Sequence, residues 1–253
     1  MIPQNIGVFD SGAGGLSVLK SLLDSKSFSK ITYYGDTARV PYGVRSPEVI
    51  TQYSLEALEF FKPFNLDLLV IACNTVSAYA LNAMQDAVSY PIIGVIKPGV
   101  LAVKNALKDK DAKILIIGTK ATINSGIYSK LLKKEGYKNT FGIATSLFVP
   151  IVEEGIFSGE ILDSTIKHYF KSVPFIPDAI ILGCTHFPLL AKEIAKYFNY
   201  KPLLIHSGEA IMESLRQTYK LDSNTKNTSI NFYASDDVEK LENIAKIWLK
   251  AKI

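Results

Sequence analysis

Apolar residues along this chain fall into short unbroken runs that alternate with stretches of helical spacing. Residues 6–9, 31–34, 68–73, 91–95, 113–119, 141–145, 178–184, 202–206 and 229–233 read as strands. Between them, 16–23, 46–61, 76–88, 123–134, 187–198, 209–219 and 238–250 read as helices, and two further helical segments flank Glu153-Glu154-Gly155 and run on to 171. Ser46-Pro47-Glu48 has a cap, a first-turn proline and an acid in the order that starts a helix. Runs of Leu, Val and Ile without polar alternation fit strands buried on both faces of a parallel sheet. Strand and helix taken in turn predict an α/β fold with mainly parallel sheets and right-handed crossovers.

Two of the strands carry the same phrase. Asp67-Leu68-Leu69-Val70-Ile71-Ala72-Cys73 matches Asp178-Ala179-Ile180-Ile181-Leu182-Gly183-Cys184 position for position, and the chain's 2 cysteines stand at equivalent places in it. An internal duplication with one thiol per half follows. It predicts two similar, pseudo-symmetric α/β domains with the active site in the cleft between them. The first would comprise residues 1–96 plus 208–253 and the second residues 97–207, with Lys97-Pro98-Gly99 as the crossing. The last helix, strand and helix have no counterpart in the second half, so they are expected to return and complete the first domain.

Composition changes this picture little. With 253 residues, 48% hydrophobic and 21% charged, the chain has material for a core in each half. No signal peptide is visible at its start and no apolar run approaches the roughly 18 residues of a membrane span, which makes the cytoplasm the default compartment. The net charge of +4 comes from scattered lysines rather than a block, which gives little support to nucleic-acid binding.

The strand ends hold the candidate chemistry. Each cysteine would lie at the carboxyl end of a strand beside a helix start, where open α/β sheets bind ligands and where a thiolate and a carboxylate are both favoured. Such a cysteine taken alone is more often an apolar filler, but the matched pair argues for two thiols facing one ligand. A metal site built from Cys73, Cys184 and His186 fails on ligand count and spacing. A disulfide would be an artefact of oxidation or a switch. Asp10-Ser11-Gly12-Ala13-Gly14-Gly15 invites a dinucleotide reading, yet Ser17 stands where that fingerprint needs glycine. The alternative is that these glycines let backbone approach a small ligand while Asp10 points at it. His186, two positions from Cys184, can serve as its proton partner. Glu153 and Glu154 read most simply as first-turn acids of a helix.

Asp10-Ser11-Gly12, Tyr34-Gly35-Asp36, Pro41-Tyr42-Gly43, Ala72-Cys73-Asn74-Thr75, Gly118-Thr119 and Gly183-Cys184-Thr185-His186 together resemble the motif set of the glutamate racemases, in the same order and across nearly the whole chain. The resemblance implies cofactor-independent interconversion of L- and D-glutamate, which supplies D-glutamate for peptidoglycan, by two α/β domains that usually form homodimers. Carried over by position, Cys73 and Cys184 would be the acid/base pair. Asp10 would assist Cys73, and His186 with Glu153 nearby would assist Cys184. Substrate contacts would fall to Asp10, Ser11, Tyr42, Gly43, Asn74, Thr75, Thr185 and His186, with Thr119 and Thr122 as weaker candidates. No metal is implied. A related racemase or decarboxylase is disfavoured by the presence of both thiols, and a two-lobed binding protein by groups more reactive than binding requires.

Overall fold

The computed structural model describes residues 2–222, 225 and 227–250. Strands β1 (Asn5–Asp10), β2 (Lys30–Gly35), β3 (Leu68–Ile71) and β4 (Ile92–Gly94) open the chain. β5 (Ile114–Gly118), β6 (Thr140–Ala144), β7 (Ala179–Gly183) and β8 (Leu203–Ile205) follow, and β9 (Ser229–Ala234) comes last. They form two sheets, ordered β4-β3-β1-β2-β9 and β6-β5-β7-β8, in which the pairings are parallel. Removing β9 leaves the same strand order in both. The α/β architecture with two matching parallel sheets is the one the repeat predicts.

The repeated phrase has a mechanical meaning as well as a chemical one. Asp67 accepts the backbone N–H groups of Gln4 and Asn5 at 2.8 Å each, and Asp178 accepts that of Lys113 at 2.7 Å. Each aspartate therefore clamps the foot of the neighbouring strand, β1 or β5, while the strand it begins carries a cysteine at the other end. A charged acceptor on a backbone donor contributes about 1.5–3 kcal/mol where water is excluded and less at these partly exposed feet.

Helices lie on both faces of each sheet: α1 (Leu16–Asp24), α2 (Pro47–Phe61), α3 (Asn74–Tyr79), α4 (Leu81–Asp86), α5 (Ile96–Ala106) and α6 (Lys120–Asn124). The rest are α7 (Ile127–Lys134), α8 (Phe148–Glu153), α9 (Glu160–Phe170), α10 (Ala191–Tyr197), α11 (Ser207–Tyr219) and α12 (Val238–Trp248). Side chains alternate across the strands as the pleat requires. Leu68 and Val70 enter one core and Leu69 and Ile71 another, so β3 has no polar face to spare. The first of these cores is shared: Ile6 and Val8 of one sheet and Leu115 and Ile117 of the other belong to it.

Several helices differ from the reading of the sequence. Lys97-Pro98-Gly99, read as the crossing, lies in the first turn of α5. Proline is tolerated there because its missing N–H would have had no intrahelical partner. The 76–88 stretch bends at the buried Ala80 into α3 and α4, and 123–134 divides at Gly126, whose φ of +63° no helix interior can hold. Phe187–Leu190 is a 3-10 turn ahead of α10, and α11 begins two residues before 209. Glu153 ends α8 rather than beginning a helix, and Gly155 follows at φ +72° as its terminator.

Candidate active site

From β1 the chain continues to β2 on one side of the first sheet, and from β3 to β4 on the other. A crevice opens where the direction of winding reverses, above the carboxyl ends of the two strands. Asp10 ends β1, and Cys73 follows β3 as the residue capping α3. β5 and β7 repeat this, with Thr119 and Cys184 at the matching ends. The two crevices face each other around one cavity of about 30 Å³, lined by both cysteines together with Ser11, Tyr42, Gly43, Asn74, Thr75, Thr119, Thr185 and His186. Larger hollows of about 340 Å³ against α12 and about 260 Å³ between α1 and α11 contain neither cysteine.

The halves meet closely around this space. Thr75 Oγ1 of the first half lies 3.0 Å from Thr119 Oγ1 and 3.2 Å from Thr122 Oγ1 of the second. Thr119 also caps α6 by accepting the N–H of Thr122 at 3.2 Å, so its hydroxyl is held by its own backbone before any ligand arrives. Ser17 Oγ donates to the carbonyl of Thr185 at 2.7 Å. Two glycines make the approach feasible. A Cβ on Gly43 would stand 2.5 Å from Thr119 Cβ, and one on Gly14 would stand 2.6 Å from His186 Nδ1. The glycine turn after β1 is thus filled by the opposite half, which leaves no room for a pyrophosphate.

Each thiol has its own partner. Cys73 Sγ is 3.5 Å from Ser11 Oγ. Cys184 Sγ is 3.7 Å from His186 Nδ1, and the ring's Nε2 is 3.2 Å from Glu153 Oε1. Asp10 is fully buried beneath the cavity, where it accepts the Gly12 N–H at 3.1 Å and the Thr185 hydroxyl at 3.3 Å. Burial pushes its carboxyl up to about 6 against the pull of His186 and those hydrogen bonds. Burial and then the Asp10 charge push the Cys73 thiol up to about 12, in spite of the Ser11 hydrogen bond. Burial works against a charged His186, but its bonds to Cys184 and Glu153 outweigh that and raise it to about 10. Burial thus opposes charge on Cys73, whereas Cys184 has beside it an imidazole whose charged form is favoured. Both cysteines are free.

Among the sequence-predicted residues, Asp10, Glu153 and Thr122 stand outside the cavity wall, each one hydrogen bond behind it. Tyr42 spends its hydroxyl on Asp36, which also takes Arg39 Nε and Ser235 Oγ at 2.7 Å each. What Tyr42 and Gly43 keep for a ligand is the backbone N–H of a 3-10 helix start, which has no partner within that helix. Val40, Pro41 and Val149 also line the cavity and carried no polar or glycine signal in the sequence. The Tyr128 hydroxyl donates to Asn74 Oδ1 at 2.6 Å, a contact no local pattern announces. Among the described residues no cluster of three or more His, Cys, Asp or Glu side chains is placed to hold a metal ion.

Known proteins share this fold. The family of Asp/Glu/hydantoin racemases matches residues 13–215. A glutamate racemase of Campylobacter jejuni is 55% identical over 246 residues, covering 97% of this chain and 98% of its own. A crystal structure of glutamate racemase from the same species superimposes with a TM-score of 0.96 at 54% identity, covering 99% of this chain and all of that one (100%). The glutamate racemase of Francisella tularensis, solved in complex with D-glutamate, gives a TM-score of 0.87 at 35% identity over 100% of this chain and 96% of that one.

Proposed function

The chain is an amino-acid racemase of the Asp/Glu/hydantoin racemase family, and from that premise we propose that it interconverts L- and D-glutamate by proton transfer between the α-carbon and two thiols. The observation that carries this reading is the pairing of Cys73 and Cys184 in the wall of one cavity, each with a different hydrogen-bond partner. Inversion requires a proton to leave one face of the α-carbon and another to arrive on the opposite face. One sulfur, as thiolate, forms an S–H bond with the α-proton while the C–H electron pair passes to the α-carbon and its carboxylate. The other sulfur gives its proton to the opposite face and is left as thiolate, ready for the other enantiomer. No added cofactor takes part in this reading.

Asp10 assists Cys73, and His186 assists Cys184 with Glu153 holding the far side of its ring. Support comes from the hydrogen bonds that link Cys184, His186 and Glu153, and from the buried Asp10 carboxyl, whose negative charge holds the proton on the Cys73 thiol. The carbanion is the difficult species, and each 1.36 kcal/mol of stabilisation by positioned donors is worth a factor of ten. Ser11, Asn74, Thr75 and Thr185 are assigned to the α-carbon's ammonium and carboxylate. Tyr42, Gly43 and Thr119 are assigned to the side-chain carboxylate. Residues 1–96 with 208–253, and 97–207, would act as two bodies that close on the substrate, a division supported by β9 joining the first sheet. The family resemblance further supports a cytoplasmic homodimer that supplies D-glutamate for peptidoglycan, and no described helix is long and apolar enough to cross a membrane.

Purified protein given L-glutamate alone should drive the circular-dichroism signal of the amino acid to zero. Cys73→Ala and Cys184→Ala should each lower that rate at least about a thousandfold. Their folds should survive, since truncating a strand-end cysteine leaves little empty volume. Near-normal turnover by either variant removes the two-thiol mechanism.

A further inference from the structure

Tyr128 lies on α7, outside every motif the sequence offers, and is 2% exposed. Its ring is seated between two bare stretches of backbone. A Cβ on Gly99 would come within 3.4 Å of Tyr128 Cε1, and one on Gly183 within 3.5 Å of Cε2. Gly183 precedes Cys184. The hydroxyl donates to Asn74 Oδ1 at 2.6 Å, and Asn74 follows Cys73. One side chain thus touches the residue next to each thiol. Among the described residues the other side-chain hydrogen bond of the Asn74 amide is longer, with Nδ2 donating to Ser207 Oγ at 3.4 Å.

We infer that Tyr128 is a positioning residue for the racemase reaction, whose hydroxyl fixes the Asn74 amide so that its N–H group, and not its oxygen, faces the substrate carboxylate. The inference rests on the proposed reaction. A primary amide can turn over and exchange its oxygen for its nitrogen at little change in shape, and a neighbouring hydrogen bond decides which end points where. The phenol is a reliable donor because burial holds its proton well above the usual tyrosine range. With the hydroxyl gone, the amide oxygen is free to face the carboxylate, where two acceptors repel. Asn74 lies in the cavity wall, so this reversal is felt by the ligand directly. The carboxylate is present in bound substrate and takes up further charge as the α-proton leaves, so the loss falls on binding and on the transition state together.

Steady-state kinetics in both directions tests this. Tyr128→Phe keeps the ring between Gly99 and Gly183 and should raise KM for each enantiomer about tenfold and lower kcat as well, so that kcat/KM falls more than tenfold and equally in both directions. A purely structural role would instead reduce the amount of active protein, lowering apparent kcat and leaving KM alone. Asn74→Ala should raise KM at least as far, and adding Tyr128→Phe to it should change nothing more, because the hydroxyl then has no amide to orient. Removing a buried hydroxyl also costs stability, so Asn74→Ser, which withdraws the amide and leaves Tyr128 intact, provides an independent route and should reproduce the raised KM. An unchanged KM in Tyr128→Phe or in Asn74→Ser, or effects that multiply in the double variant, would overturn the inference while the parent protein still racemises glutamate. Failure of the parent protein to do so would instead remove the functional reading on which it rests.

Discussion

Asp10 carries a carboxylate to a fully buried place, and burial pushes it from 3.8 up to about 6. A carboxyl raised in this way stabilises the fold fully below about 3.8 and loses that contribution as pH rises through about 6. Asp10→Asn should therefore melt higher than the parent protein at pH 8, by up to about 3 kcal/mol, with the difference gone near pH 4. Activity should move the other way. The ionised carboxylate matches the two donors that face it, from Gly12 and Thr185, so kcat/KM should fall on the acid side of about pH 6 in the parent protein. Asp10→Asn should lose that limb along with most of its activity, and an identical acid limb in both proteins would assign it to another group. At this scale much of the site is legible in the sequence, because strand-end cysteines, the polar residues after them and a histidine two places on are local patterns. Tyr128 and the hub at Asp36 are not, since their partners come together only when the chain has folded.

Elements show where local rules yield. The apolar runs of β3 and β7 are legible because both faces are buried and no alternation competes. α5 is hidden by Pro98 and Gly99, which normally punctuate loops; one needs no N–H in a first turn and the other is small because Tyr128 lies against it. An acid at the end of α8 opposes the helix dipole, and the hydrogen bond that Glu153 accepts from His186 accounts for its place. Gly155 was the available sign that a helix ends there rather than starts. The 3-10 turn Tyr42–Val44 meets α6 without slack. Gly43→Ala would put a Cβ 2.5 Å from Thr119 Cβ, a pair of atoms with no rotamer to relieve them, so backbone must move. Shifts of about 1 Å at a reacting site cost on the order of a hundredfold, and a loss of that size in kcat/KM is expected with the melting temperature little altered. A variant within threefold of the parent protein would show that the two halves have play at this point.

The whole molecule pairs two copies of one sheet so that their winding reversals face each other, and the matched Asp67 and Asp178 clamps repeat that likeness at the far ends of the strands. Its likeness was legible as a seven-residue echo in the chain. How tightly the copies close was not, because closure depends on Gly14 and Gly43 meeting side chains more than 70 residues away. The cavity between them holds on the order of two water-sized spaces, and the sulfurs of Cys73 and Cys184 belong to residues only 5% and 6% exposed. A glutamate, and any reagent broader than water, gains entry when the halves part. Labelling by iodoacetamide should then climb with reagent concentration and level off at the rate of parting, and glutamate should slow it. Strict proportionality to reagent, with no protection, would mean that the thiols are reached without opening. The closed seam thus gives the protein a clock: the pace at which its sulfurs become alkylated measures how long it stays shut.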